Sequence, residues 1–228
     1  MTRIEKVAVQ DGEFDLHVWG AGPGPGVLLV QEIFGVGDYL EAVAEDLVAL
    51  GYVVGAPDMF WRIEPGWAVA HNEEALPKGM SMVSRFDWEK GVEDADAALA
   101  VLKGLPGVGK TGVLGFCFGG TLAYLLAAKS EVDFLVSFYG SGVPGALDQI
   151  DAIQAPAQFH FGGSDPYIPR EDVAKVERAV ESRDGMEIHV QDDGGHAFHN
   201  RKAPMFYQPE PAARAWRLTE EFLARTRS

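Results

Sequence analysis

The chain has 228 residues, 47% of them hydrophobic, enough for one domain with a substantial core. Its 34 acidic residues against 19 basic ones leave a net charge of −15, a field that repels nucleic-acid backbones and anionic membrane surfaces, so a small molecule is the expected partner. The lone cysteine, Cys117, excludes an intramolecular disulfide; residues Met1 to Glu13 lack a signal peptide's apolar core, no stretch approaches a membrane span of roughly 20 apolar residues, and a cytoplasmic protein is expected.

Along the chain, Ile4 to Val9 and Phe14 to Trp19 read as strands about an Asp11-Gly12 turn. A Gly/Pro run from Gly20 to Gly26 then leads into the apolar strand Val27 to Val30. Asp38 is placed to cap a helix carrying Leu40, Val43, Ala44, Leu47 and Leu50 at helical spacing, with Gly51 past its end and a strand from Tyr52 to Gly55. Between Met59 and Arg85, Trp61, Pro65, Gly66, Pro77 and Gly79 interrupt any period, which predicts a long surface excursion.

A helix follows with Trp88, Val92, Ala95, Leu99 and Leu102 on one face, ending at Gly104 to Gly107 before the strand Gly112 to Phe116. The pattern repeats as helix Gly119 to Ala128, strand Phe134 to Tyr139, strand Ala157 to Phe161, helix Asp172 to Val180 and strand Met186 to Val190. The last helix sets Ala212, Ala215, Trp216, Thr219, Phe222 and Leu223 on one side. Alternating strands and helices predict an α/β fold: one domain over residues 1–228, with a mostly parallel sheet covered on both faces and an antiparallel hairpin at its start. Chemistry in such sheets gathers beyond the carboxyl ends of the strands.

Gly115-Phe116-Cys117-Phe118-Gly119 falls where a strand ends and a helix begins, in the G-x-nucleophile-x-G form of a nucleophile elbow. The turn brings backbone so near the nucleophile that neighbouring Cβ atoms have no room. It also sets the thiol at a helix N-terminus, where the macrodipole favours a thiolate. Two downstream segments can assist: Gly163-Ser164-Asp165 and Gly194-Gly195-His196 each follow a strand, in the order nucleophile, acid, histidine. His196 would accept the thiol proton and later activate water, and Asp165 would fix its tautomer. Oxyanion donors are expected from the Phe118 amide and from the turn Gln31-Glu32-Ile33-Phe34-Gly35, at Ile33.

These features are joined by Pro57-Asp58, Phe86-Asp87, Gly91-Val92, Gly115 to Gly120, Tyr139-Gly140, Gly162-Gly163 and Gly195-His196. Together they resemble the dienelactone hydrolases (carboxymethylenebutenolidases) of the α/β-hydrolase superfamily, along nearly the whole chain. Cysteine in place of the serine of most relatives is the most specific element. The resemblance implies an α/β-hydrolase fold without a large cap and a Cys117, His196, Asp165 triad. It adds Glu32, beside the thiol and governing its ionisation, and it implies lactone opening through an enzyme thioester without metal or organic cofactor. Phe34 and Tyr139, within the matching motifs, are candidate substrate contacts. The family's carboxylate-binding arginines lie before Phe86 and four residues beyond the histidine. The latter position is Asn200 in this chain, so Arg201, Lys78, Arg85 and Arg62 are the candidate substitutes.

Several residues have plainer readings. His196 and His199 have no third ligand nearby, so no metal is expected; His160 alternates within a strand and His17 lies in the opening hairpin, and both read as structural. Gly104 to Thr111 matches the phosphate-loop pattern, with Lys110 and Thr111 as its ligands. It leaves a helix and enters a strand, the reverse of what a phosphate loop requires, and reads as a connection. A nucleotide-binding protein and a catalytically silent domain of the same fold are the alternatives. A monomer or weak homo-oligomer is expected.

Overall fold

The computed structural model describes residues 2–227, so Met1 and Ser228, the ends of the expected domain, lie outside the described residues. Its contacts group the chain into two compact units, Met1–Val113 and Leu114–Ser228.

In the first unit β1 (Arg3–Val9) and β2 (Gly12–Trp19) form an antiparallel hairpin whose register pairs Val9 with Gly12, so its turn is Gln10-Asp11, one residue earlier than expected. β2 runs antiparallel to β4 (Val53–Pro57), and β3 (Gly24–Val30) runs parallel to β4. The order is β1-β2-β4-β3. β3 therefore takes in half of the Gly/Pro run, because Gly24 is tied by its N–H to the Gly107 carbonyl at 3.0 Å. Val27 to Val30 are wholly buried, as a two-faced parallel strand demands. α1 (Asp38–Ala49) buries Tyr39, Leu40, Val43, Ala44 and Leu47. Its N-cap is Gly37 rather than Asp38; Asp38 is the first helical residue, where its charge meets the positive end of the macrodipole.

The excursion after β4 has more structure than expected. Asp58, buried, accepts N–H bonds from Phe60 (3.1 Å) and Gly66 (2.7 Å) and closes a loop. Its second half is a helix, α2 (Leu76–Arg85). Pro77 and Gly79 hid this helix, yet Pro is accommodated in a first turn. Gly79 is there because a Cβ would lie 2.9 Å from the Ile33 carbonyl oxygen. α3 (Trp88–Lys103) follows, with the Asp87 carboxylate capping the Lys90 N–H at 3.2 Å.

The phosphate-loop match is removed here. Gly104 is the C-cap of α3, and Val108 to Thr111 lie inside β5 (Val108–Phe116), which begins four residues earlier than Gly112. Thr111 is fully buried, and its hydroxyl donates to the Gly109 carbonyl at 2.9 Å. The segment offers a strand where phosphates need the amides of a helix N-terminus.

β5 carries the chain into the second unit, where α4 (Phe118–Lys129) is buried along most of its length. β6 (Leu135–Phe138), β7 (Ala157–Gly162) and β8 (Met186–Gln191) are parallel neighbours in that order. Two short 3-10 helices, Val143–Gly145 and Leu147–Ala152, fill the β6–β7 connection where no element was expected. α5 (Arg170–Val180) and α6 (Pro209–Thr226) complete the unit, and α6 buries Ala212, Ala215, Thr219, Phe222 and Leu223 as its spacing predicts, with Trp216 half-buried. His160 is structural: fully buried, stacked on Phe138 at 4.3 Å and 2.8 Å from the Gln158 side-chain oxygen.

Candidate active site

Cys117 sits between β5 and α4 with φ 53° and ψ −115°, a left-handed backbone that L-residues seldom adopt. Two features hold it there. Its N–H donates to the Phe138 carbonyl at 2.9 Å, and Thr121 N–H returns to its carbonyl at 3.2 Å. Gly115 makes the turn possible, because a Cβ at that position would come within 2.0 Å of the Gly119 carbonyl oxygen. The absence of room inferred from the motif is thus a backbone-on-backbone contact that no rotamer could relieve.

The structure brings three of the expected side chains together in the second unit. His196 Nε2 is 3.1 Å from Cys117 Sγ, and His196 Nδ1 is 2.7 Å from Asp165 Oδ2. The other Asp165 oxygen accepts the N–H groups of Tyr167 (2.7 Å) and Ile168 (3.2 Å), so the carboxylate is oriented by its own loop. That loop is pinned by Gly163 N–H to the Gln191 carbonyl (2.7 Å) and Ser164 N–H to the Gly194 carbonyl (2.9 Å). The Asp165 side chain has no exposure and that of His196 only 10%. Burial alone would lower the histidine pKa. The charges and hydrogen bonds of Cys117 and Asp165 outweigh it and raise His196 to about 11. A protonated imidazole, bonded to Asp165 on one side and facing the Cys117 sulfur on the other, is the state this geometry favours.

Two rings flank that imidazole. Tyr139, fully buried, lies 5.4 Å away between centroids, and Tyr167 meets it edge-on at 5.1 Å. Tyr139, a candidate substrate contact from the sequence, packs on Phe198 (5.3 Å), Phe138 (5.9 Å) and Phe116 (6.1 Å) as well as on the histidine. Tyr167 was missed: nothing local marks it, but it is 62% exposed in the loop that Asp165 orients. Three non-glycine residues have positive φ among the described residues, and they are Cys117, Tyr139 (37°) and Ala197 (54°), all within or beside this cluster. Concentrated strain of this kind is a mark of functional sites.

The remaining candidates divide. Arg62 is a correction. Its guanidinium is taken up by Asp94 (Nε to Oδ2 2.7 Å, Nη2 to Oδ1 2.8 Å) and Asp11 (Nη1 to Oδ2 2.8 Å), and it lies over the Trp61 ring at 4.3 Å. With every nitrogen engaged by a carboxylate of its own chain it is a structural cation, not an open clamp for substrate. Lys78 and Arg85 are exposed on α2, and Arg201 is exposed beyond His196. Asn200, at the family's arginine position, is fully buried and accepts the Lys202 N–H at 3.0 Å.

In the first unit Glu32 is 2% exposed just after β3, and its carbonyl accepts the Gly35 N–H at 3.2 Å. The Ile33 carbonyl accepts the Trp67 indole N–H at 3.0 Å. Phe34 is buried and packs on His71 at 4.3 Å. His199 is buried against Phe116 (5.4 Å) and Trp216 (5.1 Å), and burial, aided by Arg201, lowers its pKa to about 3. Among the described residues no cluster of three or more His, Cys, Asp or Glu is arranged to hold a metal ion, and no helix is long and apolar enough to cross a membrane.

The carboxymethylenebutenolidase of Pseudomonas putida is 32% identical over 96% of each chain. That of Pseudomonas sp. (strain P51) is 33% identical over 94% of this chain and 91% of its own. A dienelactone hydrolase-like promiscuous phosphotriesterase from metagenomic libraries superposes with a TM-score of 0.83 at 22% identity, over 100% of this chain and 99% of its own. The dienelactone hydrolase of Anabaena variabilis gives 0.74 at 19%, over 99% and 97%. Likeness at such identities shows the fold, which is the α/β-hydrolase arrangement that the family resemblance implied. The description of the dienelactone hydrolase family matches residues 16–227, and with that match and the relatives above, the chain belongs to this family.

Proposed function

We propose that this chain is a cofactor-independent hydrolase that opens a small lactone or ester through a thioester on Cys117. The observation that carries the proposal is the continuous hydrogen-bonded path from Cys117 Sγ through His196 to Asp165, 3.1 Å and 2.7 Å long in its two steps. The names of the relatives, which are carboxymethylenebutenolidases, support a lactone carbonyl as the target. We take residues 1–228 to act as one α/β-hydrolase domain, because the family match runs through the boundary between the units.

His196 holds the thiol proton while the thiolate attacks the carbonyl carbon. Phe118 opens α4, and the amides of a helix's first turn are directed out of the helix, so its N–H is a donor for the oxyanion. Ile33 N–H is proposed as a second donor on the family resemblance. When the carbon–oxygen bond breaks, the departing alkoxide takes its proton from His196 Nε2, and for a lactone this opens the ring. Water then attacks the thioester and gives a proton to the same nitrogen; the thiolate leaves, and the acid is released. Asp165 keeps Nδ1 protonated throughout. Glu32 is proposed, again on the resemblance, to influence the ionisation of Cys117.

The test is a panel of lactones and aryl esters read by intact mass and turnover. The expected result is an acyl adduct on the wild-type protein that Cys117→Ala does not form, with turnover falling by at least about 10³-fold. Full turnover by Cys117→Ala, or no turnover of any member by the wild type, overturns the proposal, the second outcome favouring a silent domain.

A further inference from the structure

The turn from Glu32 to Gly35, which carries the Ile33 amide, is held from outside by the excursion that follows β4. Gly35 N–H donates to the Glu32 carbonyl at 3.2 Å and closes a reverse turn with Ile33 and Phe34 at its centre. A bond of this kind fixes the ends of a turn but leaves its central peptide free to flip, and the two common turn types differ by that flip.

Here the central peptide is held as well. The Trp67 indole N–H donates to the Ile33 carbonyl at 3.0 Å, from a ring only 9% exposed. Backbone keeps the indole in register with the turn: Val69 N–H donates to the Phe34 carbonyl at 3.0 Å, and Gly35 and Ala68 form an antiparallel bridge. Gly35 has φ 87°, and a Cβ there would run into the Trp67 carbonyl oxygen, so glycine lets the two segments close on each other. Trp67 itself sits on a closed loop. Its N–H is tied to the Glu64 carbonyl at 3.2 Å, and the preceding Gly66 N–H to the buried Asp58 carboxylate at 2.7 Å. The peptide on the other side of Ile33 has its own support. The Glu32 carbonyl accepts from the Gln31 side-chain amide at 3.4 Å, and the oxygen of that amide accepts the Met59 N–H at 3.1 Å.

We propose that Trp67 is a positioning residue for the reaction, fixing the Ile33 carbonyl and through it the direction of the Ile33 N–H. This role presupposes that the chain is a hydrolase with Ile33 N–H as an oxyanion donor. Peptide planes are rigid, so the freedom between that N–H and that carbonyl lies in the two torsions at the Ile33 Cα. The turn bond and Gln31 hold the first plane, Trp67 holds the second, and with both held neither torsion can drift. Oxyanion donors act by being aimed in advance, so a loosened one loses part of its value in the transition state while substrate binding changes little. In this scheme Trp67 touches no reacting atom and acts through the turn.

The test compares an aryl ester with its thiono counterpart, in which C=S replaces C=O. Charge that develops on sulfur accepts hydrogen bonds weakly and takes little help from the donors. Trp67→Phe keeps an aromatic ring and removes the N–H. Trp67→His does the reverse, since imidazole overlays the five-membered ring of indole with Nε2–H in place of the indole N–H, and at about pH 8 it is neutral. Outright loss of a donor costs about 10²- to 10³-fold, so Trp67→Phe should lose about 10-fold in kcat on the oxo ester, with KM and thiono turnover within about 2-fold. Trp67→His should recover most of that loss despite its smaller ring. Both esters are read on the same folded molecules, so partial unfolding cancels from their ratio; should the thiono ester be too slow to read, the order of the two variants on the oxo ester decides alone. An unchanged ratio in Trp67→Phe overturns the role of Trp67 and leaves the hydrolase reading standing. So does a loss in Trp67→Phe no greater than in Trp67→His, or failure of Trp67→Phe to fold, either of which makes the indole a packing group. Wild-type protein that turns over neither ester refutes the hydrolase reading, and the role of Trp67 falls with it.

Discussion

Replacing Arg62 by methionine separates a structural cation from a substrate clamp. Asp94 is 1% exposed and accepts three N–H bonds: two from Arg62, at 2.7 and 2.8 Å, and one from the Trp61 indole at 2.9 Å. Arg62→Met keeps the aliphatic stem over Trp61 but leaves a buried carboxylate with the indole as its one remaining partner among these three bonds. Breaking a buried pair from one side costs about 3–5 kcal/mol. The Arg62 side chain is 24% exposed, so part of its charge was already solvated, and about 3 kcal/mol is the expected loss. For a chain of this length each kcal/mol moves the midpoint by about 2–4 °C, so thermal unfolding should begin about 6–12 °C lower. Calorimetry or urea denaturation reads the stability, and in parallel the KM ratio of a carboxylated to a neutral ester reads recognition. The expected outcome is a large stability loss with an unchanged ratio. A loss under about 1 kcal/mol with a KM increase confined to the carboxylated ester would refute the assignment and return Arg62 to the substrate.

Further predictions concern the site and its surroundings. In Asp165→Asn the turn bonds to Tyr167 and Ile168 can persist, but the amide NH₂ now faces His196 Nδ1 and forces the proton onto Nε2, towards Cys117. Turnover should fall about 10³- to 10⁴-fold with little change in stability, and a variant within 10-fold of wild type would remove Asp165 from the mechanism. Tyr167→Ala takes away the exposed ring beside His196. Its preference for aryl over alkyl esters should drop several-fold, in keeping with about 0.5–1.5 kcal/mol for an aromatic pair, and an unchanged preference would make Tyr167 a bystander. His199 is neutral in the folded protein with its pKa lowered to about 3 from 6.5, so the unfolded chain alone binds its proton in that interval. Its contribution is complete above pH 6.5 and is lost as pH falls towards 3, up to roughly 5 kcal/mol. His199→Phe should therefore lose stability less steeply than wild type between pH 6.5 and 4, and parallel curves would show that the burial argument fails.

The readable parts of the sequence were those whose causes are local. The elbow was legible because Gly115-Phe116-Cys117-Phe118-Gly119 carries its whole signature in five consecutive residues, where an apolar strand meets a helix. The reversed phosphate loop was legible for the same reason, since the pattern around Gly104 to Thr111 runs from helix to strand. The fate of Arg62 was not legible, because its partner Asp94 lies 32 residues on and Asp11 lies 51 residues back. α2 escaped because Gly79 answers to Ile33, a residue distant in sequence, and so broke the local period. Tyr167 escaped because exposure beside a histidine is a property of the folded loop. The proposed triad could be read from spacing; its neighbours needed coordinates.

The left-handed backbones of Cys117, Tyr139 and Ala197 also bear on how this protein could be changed. Each costs of order 1–3 kcal/mol, so together they hold an amount comparable to the whole folding stability of an ordinary domain. A screen for heat resistance would be drawn to them, and Ala197→Gly is the simplest gain, worth about 1 kcal/mol by relieving its backbone. That gain would come from the residue next to His196, and the added freedom would be passed to the imidazole that bridges thiol and carboxylate. In this protein the cheapest route to robustness and the upkeep of its chemistry run through the same three peptide units, and they run in opposite directions.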